Sequence, residues 1–406
     1  MMLKLLKIKN FLLLLLSATF SQFGDRLTHM LLITLIAEIS KGKVFTYSQA
    51  SLTFTLPVLI LSPFCGVLVE RWEKRKVMFF AHFLQYLLLL LTPLLIILFK
   101  SFLVIFFSLF LFFLIDLFNN TAKPSLLPFL VKKEDLLKAN SLDQSFIRIA
   151  TVLGMVVGGF LIKWVGWQIG FIINAFTHLT AGLLALKINY QEEKKEFLKK
   201  ESFKKLVVNT AKIFFNDLKE LFFYMKKSKV VLFVLFSIFL TTLIASISYT
   251  ILIFLIQQVL KLGTSGVGIF AGILAIGMIF GALVLGFFKK IENKKNLIIF
   301  GIFILGLFFF IGIHFIKVPF MVFIGLISGI TFSIITVAQN TILQEEVEAE
   351  IRARIFATKE FVTNASFILT SLPIGLLSDF TSYKLALIIL GIFLMAVALF
   401  LKSLTR

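Results

Sequence analysis

The chain has 406 residues, 59% of them hydrophobic and 15% charged, with a mean hydropathy of +1.01. That balance excludes a soluble globular domain and fits a polytopic helical membrane protein. The formal net charge of +20 would suit a nucleic-acid ligand, but the basic residues crowd into loops on one side of the span scheme below. No nucleic-acid partner is therefore expected.

Hydropathy places apolar spans at about 10–39, 46–69, 77–99, 102–122, 141–162, 167–186, 230–257, 264–288, 296–316, 318–341, 360–379 and 382–401. The loops on one side hold only Lys41, Lys43, Lys100, Lys163, Lys261, Lys317 and Lys384. By the positive-inside rule both termini are cytoplasmic, and the basic side contacts anionic membrane lipids. Lys4, Lys7 and Lys9 before the first apolar run imitate a signal peptide, but the run is too long and has no A-x-A-like cleavage site. It reads as an uncleaved first span.

That span carries Gln22, Asp25, Arg26 and His29 at i, i+3, i+4 and i+7, one helix face. Asp25 lies near the middle, where an ionisable group costs several kcal/mol unless it faces a partner or a wet cavity. Asp25 is the leading candidate for a proton carrier. Two readings of Arg26 stay open: a permanent partner of Asp25, or a cation that leaves it during transport.

After the second span comes a glycine, an acid and a basic cluster: Gly66-Val-Leu-Val-Glu70-Arg71-Trp72-Glu73-Lys74-Arg75-Lys76. The fourth span repeats the i, i+3, i+4, i+7 pattern with Asp116, Asn119, Asn120 and Lys123. Asp116 is a second proton or cation candidate, and Lys123 can snorkel to the cytoplasmic interface. Gln144 and Arg148 lie one turn apart on the fifth span, where Arg148 reads as a counter-charge for a buried acid. Gly154, Gly158 and Gly159 follow, a spacing that lets helices pack closely.

A lysine-rich break at about 187–229 has apolar residues between its charges and reads as a basic amphipathic linker on the membrane surface. It divides the chain into an N-terminal six-helix bundle (1–186), the linker (187–229) and a C-terminal six-helix bundle (230–406). The halves show a weak repeat at an offset of 220: Gly66 with Gly286, Lys74 with Lys294, Asn120-Thr121 with Asn340-Thr341. The fold class expected is all-α, twelve transmembrane helices in two bundles related by a pseudo-twofold axis.

The second half is milder. Thr242, Ser246 and Tyr249 share a face of the seventh span; Ser333, Thr336 and Asn340 one on the tenth; Glu360, Thr363 and Asn364 one on the eleventh. Gly268, Gly272, Gly277 and Gly281 give the eighth span small-xxx-small spacing. His82, His178 and His314 read as isolated, satisfied histidines. The single Cys65 excludes an internal disulfide. No metal spacing, no phosphate-binding loop and no grouped nucleophile and base occur, so no cofactor and no enzymatic activity are expected.

These segments resemble the major facilitator superfamily. The loop from Gly66 to Lys76 is similar to its signature G-x-L-A-D-R-x-G-R-K, with Glu70 in place of Asp and Glu73 in place of the second Gly. Ser21-Gln-Phe-Gly24-Asp25-Arg26-Leu and Asp116-Leu-Phe-Asn-Asn120-Thr-Ala-Lys123-Pro-Ser-Leu-Leu-Pro128-Phe-Leu-Val131 resemble the drug:proton antiporter branch that includes macrolide and enterobactin exporters. Gly154-Met155-Val-Val-Gly158-Gly159 lacks the Pro of that branch's fifth-span motif. The resemblance implies rocker-switch alternating access, gated on the cytoplasmic side by Gly66, Glu70, Arg71, Lys74 and Arg75. It implies proton-coupled efflux of an amphipathic small molecule from the prokaryotic inner membrane, by a monomer. The alternative is a lysophospholipid flippase, because Lys123 and the signature loop are also similar to those transporters.

Overall fold

The structure is a computed structural model. It describes residues 2–39, 43–132, 135–190, 228–287, 293–346 and 349–404, together with residues 212, 216 and 219. Most of the expected amphipathic linker therefore lies outside the described residues.

Among the described residues every regular element is helical. In chain order they are α1 (Lys9–Ile39), the short α2 (Val44–Ala50), α3 (Leu52–Arg71), α4 (Lys74–Phe99), α5 (Phe102–Leu126), α6 (Leu136–Leu186) and α7 (Lys229–Ile247). There follow α8 (Gly263–Phe287), α9 (Lys294–Gly312), α10 (Val318–Glu346), α11 (Ala349–Phe380) and α12 (Tyr383–Leu404). Ten stretches of these helices are long and apolar enough to cross a membrane. The 31-residue α1 is not one of the ten, because its polar stripe dilutes its hydropathy.

Local chemistry sets the helix ends. Lys100 adopts a left-handed conformation that stops α4, and the Ser101 hydroxyl accepts from the Leu103 N–H to start α5. Ser228 and Asn293 cap α7 and α9 in the same way. Inside α6, Gly166 is non-helical, with φ 79° and ψ 165°, a backbone state natural only to glycine. It falls between the two spans expected at 141–162 and 167–186. Beyond Ile247, α7 continues as π-helical turns over Ser248–Leu252 and Leu255–Val259. The Leu260 N–H reaches back to the Leu255 carbonyl at 2.8 Å. Such widened turns recur at functional sites.

The chain divides into two compact units, Met1–Leu35 with Leu56–Phe214, and Ile36–Thr55 with Phe215–Arg406. In the first, α4 packs against α5 and α6. Its polarity is reversed relative to a soluble helix. His82, Gln85 and Thr92 are buried, while Phe80, Leu84, Leu87, Leu91, Leu94 and Leu98 are exposed. Polar groups turned inward and leucines turned outward suit a lipid solvent. Where α1 passes the first part of α6, a Cβ on Gly154 would stand 2.7 Å from the Arg26 Cβ, and one on Gly158 3.1 Å from Leu27. The glycine spacing read from the sequence thus seats α1.

In the second unit, α8 packs on α10, α9 on α12, and α11 on α7 and α2. A methyl on Gly277 or Gly281 would run into the carbonyl oxygens of Leu326 and Ile330 on α10, so the small-xxx-small spacing marks a backbone-to-backbone contact. The Asp379 carboxylate on α11 accepts from the Val44 and Phe45 N–H groups at 2.7 and 3.0 Å. It satisfies two of the free donors at the start of α2 and ties that helix into the unit.

Candidate functional site

The first unit buries an unusual set of groups. Asp25, Asp116, Asp143, Lys74, His82 and His178 are all at most 7% exposed. Of these, Asp25, His178, His82 and Asp116 come together because α1, the second part of α6, α4 and α5 each turn a polar stripe inward.

Asp25 faces α6, with its Oδ1 3.9 Å from the His178 Nε2. The approach depends on Gly24. A Cβ there would stand 2.6 Å from the His178 Nε2 and 2.8 Å from the Asn174 Oδ1. On the next turn of α1, Thr28 accepts from the Asn174 Nδ2 at 2.7 Å. His178 in turn meets His82 of α4, Nδ1 to Nδ1, at 3.4 Å. The His82 Nδ1 also lies 3.1 Å from the Gln85 Oε1. The Gln85 Nε2 donates to the Asp116 Oδ1 of α5 at 3.4 Å, and the Asn120 Nδ2 donates to the Asp116 Oδ2 at 2.6 Å. Polar groups thus adjoin in the order Asp25, His178, His82, Gln85, Asp116, hydrogen-bonded from His178 onward and separated by 3.9 Å between Asp25 and His178. Phe112 closes one side of this row, edge-on to His178 at 5.1 Å between ring centroids.

This arrangement corrects one reading of the sequence. His82 and His178, isolated in the sequence, are neighbours on facing helices. They stand 96 positions apart, so no sequence spacing connects them. The available signal was local: each sits in an apolar run one turn from a buried amide, Gln85 and Asn174.

Arg26 is oriented away from Asp25. With its oxygen turned toward Arg26, the Gln22 amide accepts from the guanidinium Nε and Nη2 at 2.8 and 2.9 Å and from the Thr151 hydroxyl at 3.2 Å. Among the described residues Asp25 and Arg26 form no direct ion pair. His29 packs on Phe113 of α5, with ring centroids 4.9 Å apart. Arg148 is exposed, although its charge reaches Arg26. The side chain of Gln144 lies outside the described residues.

Near the end of α5, Lys123 does not simply snorkel. Its Nζ bridges both carboxylate oxygens of Asp143 on α6, at 2.9 and 3.2 Å. Asp143 is not singled out by the sequence, where it is an acid at the very start of the fifth span.

Of the signature loop, the side chains of Glu70 and Arg71 lie outside the described residues, and Gly66 is known by its helical backbone. The rest is held locally. Glu73 pairs with Arg75 and, at 2.9 Å, with Lys76. The Arg75 Nη1 donates to the Ile188 carbonyl at 3.0 Å, and the Lys74 N–H donates to the Tyr190 hydroxyl at 3.0 Å. Partial burial works to raise the Glu73 carboxyl, but hydrogen bonds from Lys76 and Arg75 outweigh it and hold Glu73 below its ordinary value.

In the second unit the expected residues lie among neutral groups. Thr242 is buried, and the Ser246 hydroxyl bonds the Thr370 hydroxyl at 2.8 Å. Tyr249, within the first π-helical turn, stacks edge-on with Phe54 and Phe367 at 5.3 and 5.9 Å. Gln339, one residue before Asn340, donates to the Ser237 and Thr241 hydroxyls at 3.0 and 3.4 Å. Asn340 and Asn364 are half-buried. Among the described residues no three His, Cys, Asp or Glu side chains are grouped as metal ligands.

The family description Major Facilitator Superfamily matches residues 14–358 and 238–405. The uncharacterised transporter YfiS of Bacillus subtilis (strain 168) is 23% identical over 398 residues, 96% of this chain and 92% of that protein. A second uncharacterised transporter of the same organism, YkuC, is 23% identical, and that match spans 58% of this chain and 54% of YkuC. The lysophospholipid transporter LplT of Photorhabdus laumondii is 29% identical over 155 residues, 37% of this chain and 36% of that protein. The crystal structure of the nucleoside transporter NupG superimposes with a TM-score of 0.70 at 16% identity, covering 98% of this chain and all of NupG. At that identity the likeness concerns the fold alone.

Proposed function

This chain belongs to the Major Facilitator Superfamily, and from that premise we propose that it is a proton-coupled exporter of amphipathic small molecules working by rocker-switch alternating access. Membership makes it a multi-pass membrane transporter. Coupling, direction and substrate class are the proposal, as are twelve spans in two six-helix bundles, cytoplasmic termini and the inner membrane.

One observation carries the proton reading: Asp25, mid-way along α1, is 7% exposed and has no ion pair with the adjacent Arg26. A carboxylate buried without a fixed cation changes protonation when its surroundings change. The Gln22 amide, itself bonded by the Thr151 hydroxyl, holds Arg26 instead, which leaves Asp25 free to take up and release a proton. The cation stays near enough to favour release. The neutral, aromatic interior of the second unit, with Tyr249, Phe54 and Phe367 stacked together, suits a greasy ligand without fixed charge pairing. Gly66, Glu70, Arg71, Lys74 and Arg75 are the proposed cytoplasmic gate.

A second reading, a lysophospholipid transporter, is favoured by the match to LplT. Proteoliposomes separate the two. Under an imposed pH gradient, ethidium, an amphipathic cation, is expected to accumulate against its own gradient, and to stop when an ionophore collapses the pH difference. Movement of a fluorescent lysophosphatidylethanolamine, unaffected by the gradient and without ethidium transport, would replace the proposal with the lipid reading.

A further inference from the structure

The two histidines have no part in the reading above, yet they occupy the space between the two buried acids. We propose that His178 and His82 form a proton relay that loads and unloads Asp25, so that the carboxylate exchanges its proton through the imidazole pair. This rests on the proton-coupled reading and adds the route.

The geometry selects one arrangement of hydrogens. The His82 Nδ1 is within reach of both the Gln85 Oε1, at 3.1 Å, and the His178 Nδ1, at 3.4 Å. The Gln85 amide nitrogen faces Asp116, at 3.4 Å, so its oxygen must accept from His82. The His82 hydrogen therefore sits on Nδ1, shared between the Gln85 oxygen and the His178 Nδ1 lone pair. His178 then carries its hydrogen on Nε2, the atom turned toward the Asp25 Oδ1 at 3.9 Å. The His82 Nε2 is left with its lone pair beside the Asn119 side chain. Three of these atoms, the His82 Nε2, the His178 Nε2 and the Asp25 Oδ1, are buried without a hydrogen-bond partner. Buried polar atoms are ordinarily hydrogen-bonded, so three orphans on adjoining groups mark a site built for something other than static packing.

The transfer balances. A proton arrives at the His82 Nε2 lone pair. His82 passes its Nδ1 hydrogen to the His178 Nδ1, and His178 passes its Nε2 hydrogen to the Asp25 carboxylate. One proton has entered, Asp25 is neutral, and both rings are neutral again with their hydrogens on the opposite nitrogens. Release from Asp25 runs the same steps backward and restores them. Closing the 3.9 Å gap takes only a small movement of α1 against α6, and Gly24 is what allows the two helices to be that near. The charged and titratable groups around the pair are Asp25, Arg26 and His29 of α1 and Asp116 and Lys123 of α5, with Arg148 of α6 acting on Arg26. Gln85 couples the pair to Asp116, so protonation at one acid is felt at the other.

The test needs no transport substrate. Full-length protein in lipid nanodiscs is given a pH jump, and the infrared carbonyl band of the protonated Asp25, assigned by its loss in Asp25→Asn, is followed in time. In His82→Gln and in His178→Gln the band should form at least tenfold more slowly than in wild type. An unchanged rate in both variants overturns the relay while leaving proton coupling standing. A band that never forms at any pH overturns both. A second measurement avoids variants altogether. The chain has four histidines, so nitrogen-15 spectra of labelled wild type can resolve each ring. The neutral forms should show His82 protonated at Nδ1 and His178 at Nε2; His178 protonated at Nδ1 together with His82 overturns the relay.

Discussion

The two units of this molecule bury different chemistry. The first holds Asp25, Asp116, Asp143, Lys74, His82 and His178 at 7% exposure or less. Among the described residues of the second, the buried polar side chains are hydroxyls and amides without a single ionisable acid, base or imidazole. Both interiors are hydrogen-bonded, but among the described residues only the first buries carboxyls, an ammonium and imidazoles. A protein that needed polar groups merely to pin its helices together would find hydroxyls and amides sufficient, as the Ser237, Thr241 and Gln339 cluster shows. Charges buried at greater cost in the first unit call for another reason, and the proton coupling proposed above is one that fits.

Variants can break this contrast, in descending order of effect. The largest expected loss comes from Asp143→Asn, which strands the Lys123 ammonium beside a neutral amide. Removal of one partner of a buried pair costs about 3–5 kcal/mol, read as a drop in the melting temperature in detergent. The double variant Asp143→Asn with Lys123→Met should recover much of that loss; a double variant as unstable as the single would show that the pair is not the source.

Gly24→Ala and Gly277→Ala each crowd a helix contact, against side chains of α6 in the first unit and against the Leu326 backbone in the second. Each should cost about 1–3 kcal/mol by overpacking. Their consequences should differ: Gly24→Ala pushes α1 from His178 and should alter the pH dependence of transport, whereas Gly277→Ala should lower stability and leave that dependence in place. Equal effects on the pH profile would erase the contrast between the units.

Gln339→Leu removes two hydrogen bonds from the neutral interior. It should cost about 1 kcal/mol without shifting any pH profile. The smallest effect belongs to Glu73→Gln in the exposed loop, a few tenths of a kcal/mol after solvent screening. Glu73 is held below its ordinary value of 4.5, so its contribution is present above that pH and disappears as the pH falls through the lowered value. Wild type and Glu73→Gln should differ slightly at pH 7 and converge in acid.

Much of this was legible in the sequence. Hydropathy located the helices because a span must be apolar along its length, and Asp25 stood out because charge is rare in such a run. Gly154, Gly158, Gly277 and Gly281 announced close packing before any neighbour was known. The milder character of the second half was also readable. The identity of the partners was not. His82 meets His178, and Lys123 meets Asp143, across helices whose facing depends on tertiary packing, and a single histidine in an apolar run gives no hint of another far along the chain. The orientation of Arg26 was equally hidden, because adjacent residues on a helix diverge by about 100° and only the packed structure shows the guanidinium turned to the Gln22 amide.

The central claim is that the charged unit couples transport to protons through Asp25. Proteoliposomes containing Asp25→Asn, loaded with ethidium, test it most directly by comparing two rates in one preparation. Exchange of ethidium across the bilayer at equal concentrations should persist within about threefold of wild type, while accumulation driven by a pH gradient should fall at least tenfold. Undiminished gradient-driven accumulation in Asp25→Asn would contradict the claim.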